Sequence, residues 1–197
     1  MRNLFTIDTQ DYDPKGSVYS RPSVRAIIIA DHKVLMVHSL KYDYYKFPGG
    51  GIDAGEEMEE ALCREVAEEA GRMVVPGSVR EYGLVRRITR GDQSDIFLQD
   101  NFYYLCDVGE TVGQHLDDYE AEERFTPEFV TPRHAIETNR FHDHHGSGAS
   151  SRNGSHGFWK SSWKRDIFNK ILASGLCRRF FLFLPDCDGK NGNLSVY

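Results

Sequence analysis

Three glutamates of one segment are spaced so that they could bind a divalent cation together. Glu65, Glu68 and Glu69 stand at positions i, i+3 and i+4, and in an α-helix this spacing places their carboxylates on one face, with β-carbons about 5–6 Å apart. Like charges so close together destabilise a helix unless a cation neutralises them. Carboxylate oxygens suit Mg²⁺ and Mn²⁺, so the pattern predicts a hard divalent-metal site.

A glycine-rich loop and an arginine accompany these glutamates. The loop contains Gly49, Gly50, Gly51 and Gly55. Glycine lets the backbone approach a ligand closely, because it has no β-carbon. Arg64 lies within the acidic segment, and its planar guanidinium can pair with Glu56 and hold the carboxylates in register. An acidic helix by itself is most often a solvated surface, but the loop and the arginine together favour a metal and phosphate site.

The helix that carries the glutamates is predicted over residues 57–70. Apolar Met58, Leu62 and Val66 recur at spacings of four residues, which is typical of a helix that packs on a sheet. Gly71 follows directly and is expected to end the helix. The apolar stripe anchors the helix, and the carboxylates are expected on its other face.

Strands are predicted on both sides of this helix. Residues 24–37 indicate a β-hairpin whose turn lies at Asp31 and His32. Alternating apolar residues indicate further strands over residues 79–85 and 96–108. The order of elements therefore predicts a mixed α/β fold.

The rest of the chain completes one domain, predicted over residues 1–175. The 197 residues, 40% of them hydrophobic, can bury one sizeable core but rarely two. A helix is expected after Pro132, and an apolar stripe over residues 159–173 predicts a closing helix. The Gly-, Ser- and His-rich stretch 142–157 is interpreted as a flexible loop, with a metal-binding tract as the weaker alternative. The structure of the tail, residues 176–197, stays undecided.

Net charge and hydropathy narrow the class of partner. A formal charge of -6 and a pI near 5.7 disfavour binding to nucleic acid or to an anionic membrane, which normally requires clustered lysines and arginines. The first residues hold no basic start followed by an apolar run, and no window approaches ~20 apolar residues. We therefore expect a cytoplasmic protein that binds its own cations when it handles a polyanionic small molecule.

Residues 50–72 resemble the Nudix box, the signature of the Nudix hydrolase family. Its pattern is a glycine, five residues, a glutamate, seven residues, Arg-Glu, an aliphatic residue, any residue, Glu-Glu, any residue, a glycine and an aliphatic residue. The matching positions are Gly50, Glu56, Arg64, Glu65, Val66, Glu68, Glu69 and Gly71. Arg72 departs from the pattern at the last aliphatic position, and we expect Met73 or Val74 to fill that place in the core.

This resemblance implies an α/β/α sandwich with a mixed β-sheet between helices, and it implies a role for the acidic residues. Mg²⁺ or Mn²⁺ would be bound by Glu65, Glu68 and Glu69, with help from Glu56 and the carbonyl of Gly50. Water would be the nucleophile, since a bound divalent ion lowers the pKa of a water and neutralises phosphate charge.

Removing a proton from this water requires a base. Glu68 is the first choice and Glu69 the second, and Arg64 is expected to organise the catalytic cluster. In the family the base can also come from a loop outside the box, and the candidates in such a loop here are Glu120, Glu122 and Glu123. The assignment of the base stays open at this point.

Residues that contact the substrate are predicted from residue type alone. Arg25, Lys46 and Arg87 are basic residues in strand-like or apolar surroundings, and each could reach a phosphate, although a solvated edge fits equally well. Tyr103 could stack on a base, although alternating aromatic residues are more often part of a core.

The predicted function is hydrolysis of a phosphoanhydride bond in a nucleoside diphosphate linked to another moiety. Elimination places a nucleoside triphosphate, oxidised or not, first and a nucleotide sugar second. For example, Pro76 lies too close to the box to be the downstream proline of ADP-ribose hydrolases. The alternative from another class is a catalytically silent module that senses a nucleotide or binds a partner, which the complete set of box glutamates disfavours. RNA cap removal ranks low, and a homodimer through the apolar tail stays open.

Overall fold

The computed structural model describes residues 1–141. The stretch 142–157, the closing helix predicted over residues 159–173 and the tail 176–197 lie outside the described residues, so the domain boundary at residue 175 stays a prediction. Within residues 1–141, no helix is both long and apolar enough to cross a lipid bilayer.

The described chain alternates strands with three helices. The strands are β1 (Asn3–Asp8), β2 (Val18–Ser20), β3 (Ser23–Ile27), β4 (Ile29–Ala30), β5 (Lys33–Ser39), β6 (Tyr44–Lys46), β7 (Arg72–Val74), β8 (Arg80–Arg90), β9 (Ile96–Leu105), β10 (Val108–Thr111) and β11 (Phe125–Val130). The helices are α1 (Met58–Ala70), α2 (Asp118–Glu123) and α3 (Pro132–Phe141).

The strands of the described region form two main sheets and a small one. The first sheet has the order β1-β8-β9-β2, with β3 also paired to β9. It is mixed, because β8 and β9 are antiparallel whereas β1, β2 and β3 run parallel to their neighbours. The second sheet has the order β11-β5-β4, with β6 also on β5, and is antiparallel. Strands β7 and β10 form an antiparallel pair.

The predicted hairpin is confirmed at its turn and corrected in its first strand. Asp31 and His32 both have positive φ, 47° and 61°, as the tight turn of a two-residue hairpin requires. The strand before the turn divides, because the amide of Cys106 donates to the carbonyl of Ile27 whereas the amide of Leu35 donates to that of Ile28. The chain therefore passes from the first sheet to the second between β3 and β4.

Helix α1 agrees with the predicted bounds. Its N-terminus is closed by a capping box, in which the side chains of Glu57 and Glu60 each accept a backbone amide. Gly71 closes the other end at φ 59°, a left-handed conformation that glycine adopts without steric cost. Leu62 and Val66 are fully buried, but Met58 is 38% exposed. Met58 still contacts the sheet, because its sulfur accepts a hydrogen bond from the hydroxyl of Tyr104 on β9 at 3.2 Å.

Two hydrophobic clusters lie on either side of the strands. The cluster beside α1 includes Val24 and Ala26 of β3 and Tyr104 of β9. The cluster on the other side includes Ile27 of β3 and Ala135 of α3. Neighbouring residues of a strand point to opposite faces, so one strand serves both clusters. The fold is the predicted mixed α/β arrangement, with strands packed between helices.

Further elements differ from the sequence-based prediction. The strand predicted over residues 96–108 ends at Leu105, and the residues after Asp107 belong to β10, which pairs with β7. Glu120, Glu122 and Glu123 lie on the short helix α2 rather than in a loop. Strands β1, β2, β6 and β7 were not predicted, because with six residues in β1 and three in each of the others they are too short to show a clear alternation.

Replacing Leu62 by alanine should lower the free energy of unfolding by about 2–5 kcal/mol, because it leaves a cavity between α1 and the sheet. Chemical denaturation measures this loss. Met58→Ala on the same helix is the matched control and should cost about 1 kcal/mol or less, because Met58 is partly exposed. Equal losses in the two variants would contradict this packing.

Candidate active site

Arg64 stands at the centre of the acidic cluster. Its Nε and Nη2 donate to the two carboxylate oxygens of Glu56 at 2.8 and 2.9 Å, a bidentate pair that the spacing predicts. Its Nη1 donates to Glu65 at 2.9 Å and to Glu68 at 3.1 Å. The same guanidinium reaches the carbonyl of Gly51 at 3.1 Å. One cation therefore holds three carboxylates of the cluster beside the glycine loop.

The carboxylates of this cluster have opposite pKa shifts. The hydrogen bonds from Arg64 hold the pKa of Glu56 at about 2, so this carboxylate is ionised under ordinary conditions. Burial raises the pKa of Glu65, and this effect is opposed by Arg64, Arg25 and Lys46. Charge on Glu65 therefore depends on cations close to it.

Glu69 is the most deeply buried of the acidic residues on α1. Its side chain is 1% exposed, and both oxygens have partners. The ammonium of Lys46 lies 2.5 Å from one oxygen, and the amide of Gly49 donates to the other at 3.0 Å. A buried charge is tolerated only when it is paired, so Lys46 and the loop backbone together keep Glu69 in place.

Glu120 borders this buried pair. It is 4% exposed, and one of its oxygens lies 3.8 Å from the ammonium of Lys46. The hydroxyl of Tyr119 donates to the same oxygen at 2.8 Å. Burial raises the pKa of Glu120, and its hydrogen bond and repulsion with Glu69 raise it further. Tertiary packing thus brings Glu120 to the box, although the two segments are far apart in the sequence.

The other two candidate bases on α2 have different surroundings. Glu122 is exposed and forms an ion pair with Lys41. Glu123 is buried and accepts hydrogen bonds from the hydroxyls of Ser39 and Tyr44 at 2.9 and 2.8 Å. These contacts attach α2 to the second sheet, and they leave Glu120 as the member of the three that meets the box.

The loop before α1 is closely packed at two of its glycines. Gly49 has φ 137°, a backbone conformation that side chains rarely allow, and a β-carbon there would lie 2.1 Å from the carbonyl oxygen of Val24. A β-carbon at Gly50 would lie 2.4 Å from a carboxylate oxygen of Glu65. The carbonyl of Gly50 accepts the amide of Val24 at 3.0 Å. The loop therefore lies directly on β3 and against the acidic face of the helix.

Comparison with known proteins agrees with this arrangement. The family model described as NUDIX domain matches residues 19–147. The chain belongs to the Nudix hydrolase family. A NUDIX hydrolase from Nitrosomonas europaea shares the fold of this Nudix protein, at a TM-score of 0.50 and 16% sequence identity, over 79% of this chain and 90% of the other.

Relatives of this Nudix protein include two bacterial RNA pyrophosphohydrolases. The one from Halorhodospira halophila is 36% identical over 93 residues, which cover 43% of this chain and 51% of the relative. The one from Stutzerimonas stutzeri is 46% identical over 52 residues, covering 26% of this chain and 33% of the relative. The chain thus spans about half or less of the length of the curated relatives that it matches.

The departure from the Nudix box at Arg72 leaves the core intact. Arg72 begins β7, and its guanidinium donates to the hydroxyl of Thr111 at 2.6 Å. Val74 is 7% exposed and packs with the α1 cluster, whereas Met73 is 46% exposed. Of the two residues expected to replace the missing aliphatic side chain, Val74 does so.

The basic residues predicted to contact substrate are placed differently from one another. Arg25 donates to the carbonyl of Gly49 and therefore lies beside the glycine loop of the Nudix box, residues 49–55, which is called the box loop below. Lys46 belongs to the buried pair with Glu69. Arg87 lies farther along the first sheet, with its guanidinium 5.7 Å from the ring of Phe97, and burial lowers its pKa to about 10. Contact with phosphate stays a prediction for all three.

Tyr103 lies in the core rather than at the surface. It is 4% exposed and packs edge-to-face on Phe47 with ring centroids 5.7 Å apart. Burial raises the pKa of its hydroxyl to about 12. Its predicted role in stacking on a base stays a prediction, although these surroundings are those of a core residue.

Sequence reasoning missed a group of buried polar side chains on the first sheet. Ser23, Gln99 and Asn101 are at most 5% exposed. The hydroxyl of Ser23 donates to the side-chain oxygen of Asn101 at 2.8 Å. The signal that could have found them is polar residues at alternate positions of an otherwise aromatic strand, which place polar groups on an inward face.

The donor set of the acidic cluster fits a hard divalent ion. Glu56, Glu65, Glu68 and Glu69 provide only oxygen ligands, and the two basic residues that pair with them neutralise part of their charge. Among residues 1–141, no three His, Cys, Asp or Glu side chains already form a complete ligand set. Arg64 holds Glu65 and Glu68 instead, so metal binding is expected to turn these carboxylates away from the guanidinium.

Replacing Gly50 by alanine should weaken Mn²⁺ binding by about tenfold, because the added methyl group displaces the carboxylate of Glu65. The fold should survive, since the displaced group is the end of a flexible side chain. Isothermal titration calorimetry measures the affinity. Gly113→Ala is the matched control, because a β-carbon there meets no atom within 4 Å. Equal affinities of the two variants would contradict the contact between Gly50 and the metal ligand.

Proposed function

We propose that this protein is a divalent-metal-dependent hydrolase that cleaves a phosphoanhydride bond of a 5′-phosphorylated nucleotide. The observation that carries the proposal is the convergence of Glu56, Glu65 and Glu68 on Arg64 beside the glycine loop. Such a concentration of carboxylates against a phosphate-accessible loop is costly unless the site handles cations and phosphates. Membership of the Nudix family supports the same chemistry.

The residues that would hold the metal are Glu65, Glu68 and Glu69, with Glu56 and the carbonyl of Gly50. Mg²⁺ or Mn²⁺ bound there would supply neutralisation of the phosphate charge and a water of lowered pKa. Lys46 positions Glu69, and Arg64 positions Glu56. Arg25 lies beside Gly49 and could also contact a phosphate.

Glu68 is the proposed general base. Its side chain is 39% exposed, and Arg64 is its partner at 3.1 Å. Glu69 is less suited to accept a proton from water, because both of its oxygens are engaged in a buried site. In the proposed step the water oxygen bonds to phosphorus, Glu68 takes the proton, and the bridging phosphorus–oxygen bond breaks with its electron pair on the leaving phosphate.

Glu120 is the alternative base. Of the three glutamates on α2 it is the one beside Lys46 and Glu69. Burial and repulsion from Glu69 raise its pKa, and one of its oxygens already accepts a hydrogen bond from the hydroxyl of Tyr119 at 2.8 Å. We therefore place Glu120 second to Glu68.

A nucleoside triphosphate, oxidised or not, is the substrate that we propose first, with a nucleotide sugar next. A candidate from another class of substrate is the 5′-triphosphate end of an RNA, which the names of the two bacterial relatives favour. The net charge of -6 does not favour a broad surface for an RNA chain. In either case the group that enters the site is a single 5′-terminal nucleotide with its phosphates.

Replacing Glu68 by glutamine should lower kcat by about 100-fold or more, because glutamine cannot accept the proton. The assay measures release of phosphate, pyrophosphate or nucleoside monophosphate from a panel that includes nucleoside triphosphates, nucleotide sugars and triphosphorylated RNA. Glu59→Gln is the matched control, since Glu59 is exposed on the same helix. A folded, metal-bound wild-type protein that cleaves none of the panel would count against the proposal and favour the silent binding module.

Removing divalent metal with EDTA should abolish turnover, and added Mg²⁺ or Mn²⁺ should restore it. The ion should also raise the midpoint of thermal unfolding, because it binds the folded acidic cluster and not the unfolded chain. This second measurement does not depend on knowing the substrate. Turnover that persists after complete chelation would contradict the metal site.

A further inference from the structure

Two aromatic side chains form a pair on the first sheet, near the start of β9. The rings of Tyr19 on β2 and Phe97 on β9 lie 6.0 Å apart between centroids, at an interplanar angle of 36°. Phe97 is 9% exposed, but Tyr19 is 55% exposed. The guanidinium of Arg87 approaches Phe97 at 5.7 Å. A large exposed ring thus rests beside a buried ring that itself contacts a cation.

Strand register connects this pair to the box. Tyr19 lies opposite Phe97, and Ser23 lies opposite Asn101. The offset is the same at both places, so residues 19–23 run along β9 as one extended segment. Ser23 forms a bridge with Gly51 of the box loop. At about 3.3 Å per residue, Tyr19 lies about 13 Å from the Ser23 end of this segment.

The groups between the two ends are polar. Asn101 and Gln99 are each 5% exposed, and they share the face of the sheet that carries Phe97, because residues two apart on a strand point the same way. The side-chain oxygen of Asn101 accepts a hydrogen bond from the hydroxyl of Ser23. From the Ser23 end, which adjoins the glycine loop, this stretch of the sheet therefore carries buried polar groups and then the aromatic pair, whose exposed member is Tyr19. A nucleotide whose phosphates lie at the loop would place its base toward the aromatic end.

We propose that Tyr19, supported by Phe97, is the surface on which the nucleobase of the substrate stacks. Aromatic side chains bind bases through their π-faces with little dependence on sequence, and Tyr19 presents such a face to solvent. The proposal rests on the proposed function for the direction in which the nucleotide lies. It adds a binding surface for the nucleobase, which is the part of the ligand that the acidic cluster does not recognise.

Binding of a ligand that cannot be cleaved tests this proposal separately from turnover. The probe is a nucleoside triphosphate analogue with methylene groups in place of the bridging oxygens, and the comparator without a base is methylenediphosphonate. Tyr19→Ala should weaken binding of the nucleotide analogue by about tenfold and leave binding of methylenediphosphonate unchanged. Calorimetry in the presence of Mg²⁺ measures both affinities.

Three further variants separate a loss of stacking from a general loss of affinity for the nucleotide analogue. Tyr19→Phe keeps the ring and should keep the wild-type affinity. Tyr42→Ala removes another exposed tyrosine, and Val18→Ala alters the neighbouring exposed residue of β2, whose side chain points to the opposite face. Both should bind the analogue as the wild type does. An unchanged affinity in Tyr19→Ala, or an equal loss for methylenediphosphonate, would overturn the proposal.

A short RNA with a 5′-monophosphate distinguishes the two sources of the nucleotide. A loss of binding in Tyr19→Ala for both RNA and the analogue supports stacking of an RNA end as well as of a free nucleotide. A loss for the analogue alone supports stacking of a free nucleotide. Failure of the wild-type protein to cleave its substrates would count against the proposed function, while the binding result would still decide the role of Tyr19.

Discussion

Neutralisation of the carboxylates on α1 is the constraint on which the site depends. Repulsion among Glu65, Glu68 and Glu69 opposes the helix that carries them. Arg64 offsets part of this repulsion from within the helix, and Lys46 offsets another part from β6. Because Lys46 reaches Glu69 only when the second sheet packs against α1, the charge pairing and the packing of the core stabilise each other.

Strand β3 contacts both the acidic helix and the box loop. On one face, Val24 and Ala26 pack with the apolar side of α1. Along its edge, the amides of the same two residues donate to the carbonyls of Gly50 and Pro48. Hydrophobic burial of α1 and hydrogen bonding of the box loop therefore use the same short stretch of chain. Small displacements of this strand would move the loop and the acidic face together.

The first sheet also sets the distance between the box loop and Tyr19. Its strands β2 and β3 follow β9 in one register, so groups that lie far apart on the sheet keep a constant spacing. Rigid strands hold side chains with less freedom than loops do. In the proposed binding mode, the acidic cluster and the ring of Tyr19 would recognise the two ends of one small ligand.

The sequence by itself determined the local features of this protein. Helix α1, its end at Gly71, the turn at Asp31 and the pairing of Arg64 with Glu56 all depend on residues close in the chain, where helical and turn geometry fix the spacing. The acidic helix and glycine loop were sufficient to indicate the family.

Only the tertiary structure decided which distant residues meet. Lys46 and Glu120 reach Glu69 because two sheets and α2 pack together, and Tyr19 reaches Phe97 because β2 pairs with β9. Nor does local pattern tell that Ile27 and Ile29 belong to different sheets, or that Tyr103 is buried. These outcomes depend on contacts between segments far apart in the chain, and such contacts are set by the packing of the whole core rather than by the spacing of neighbouring residues.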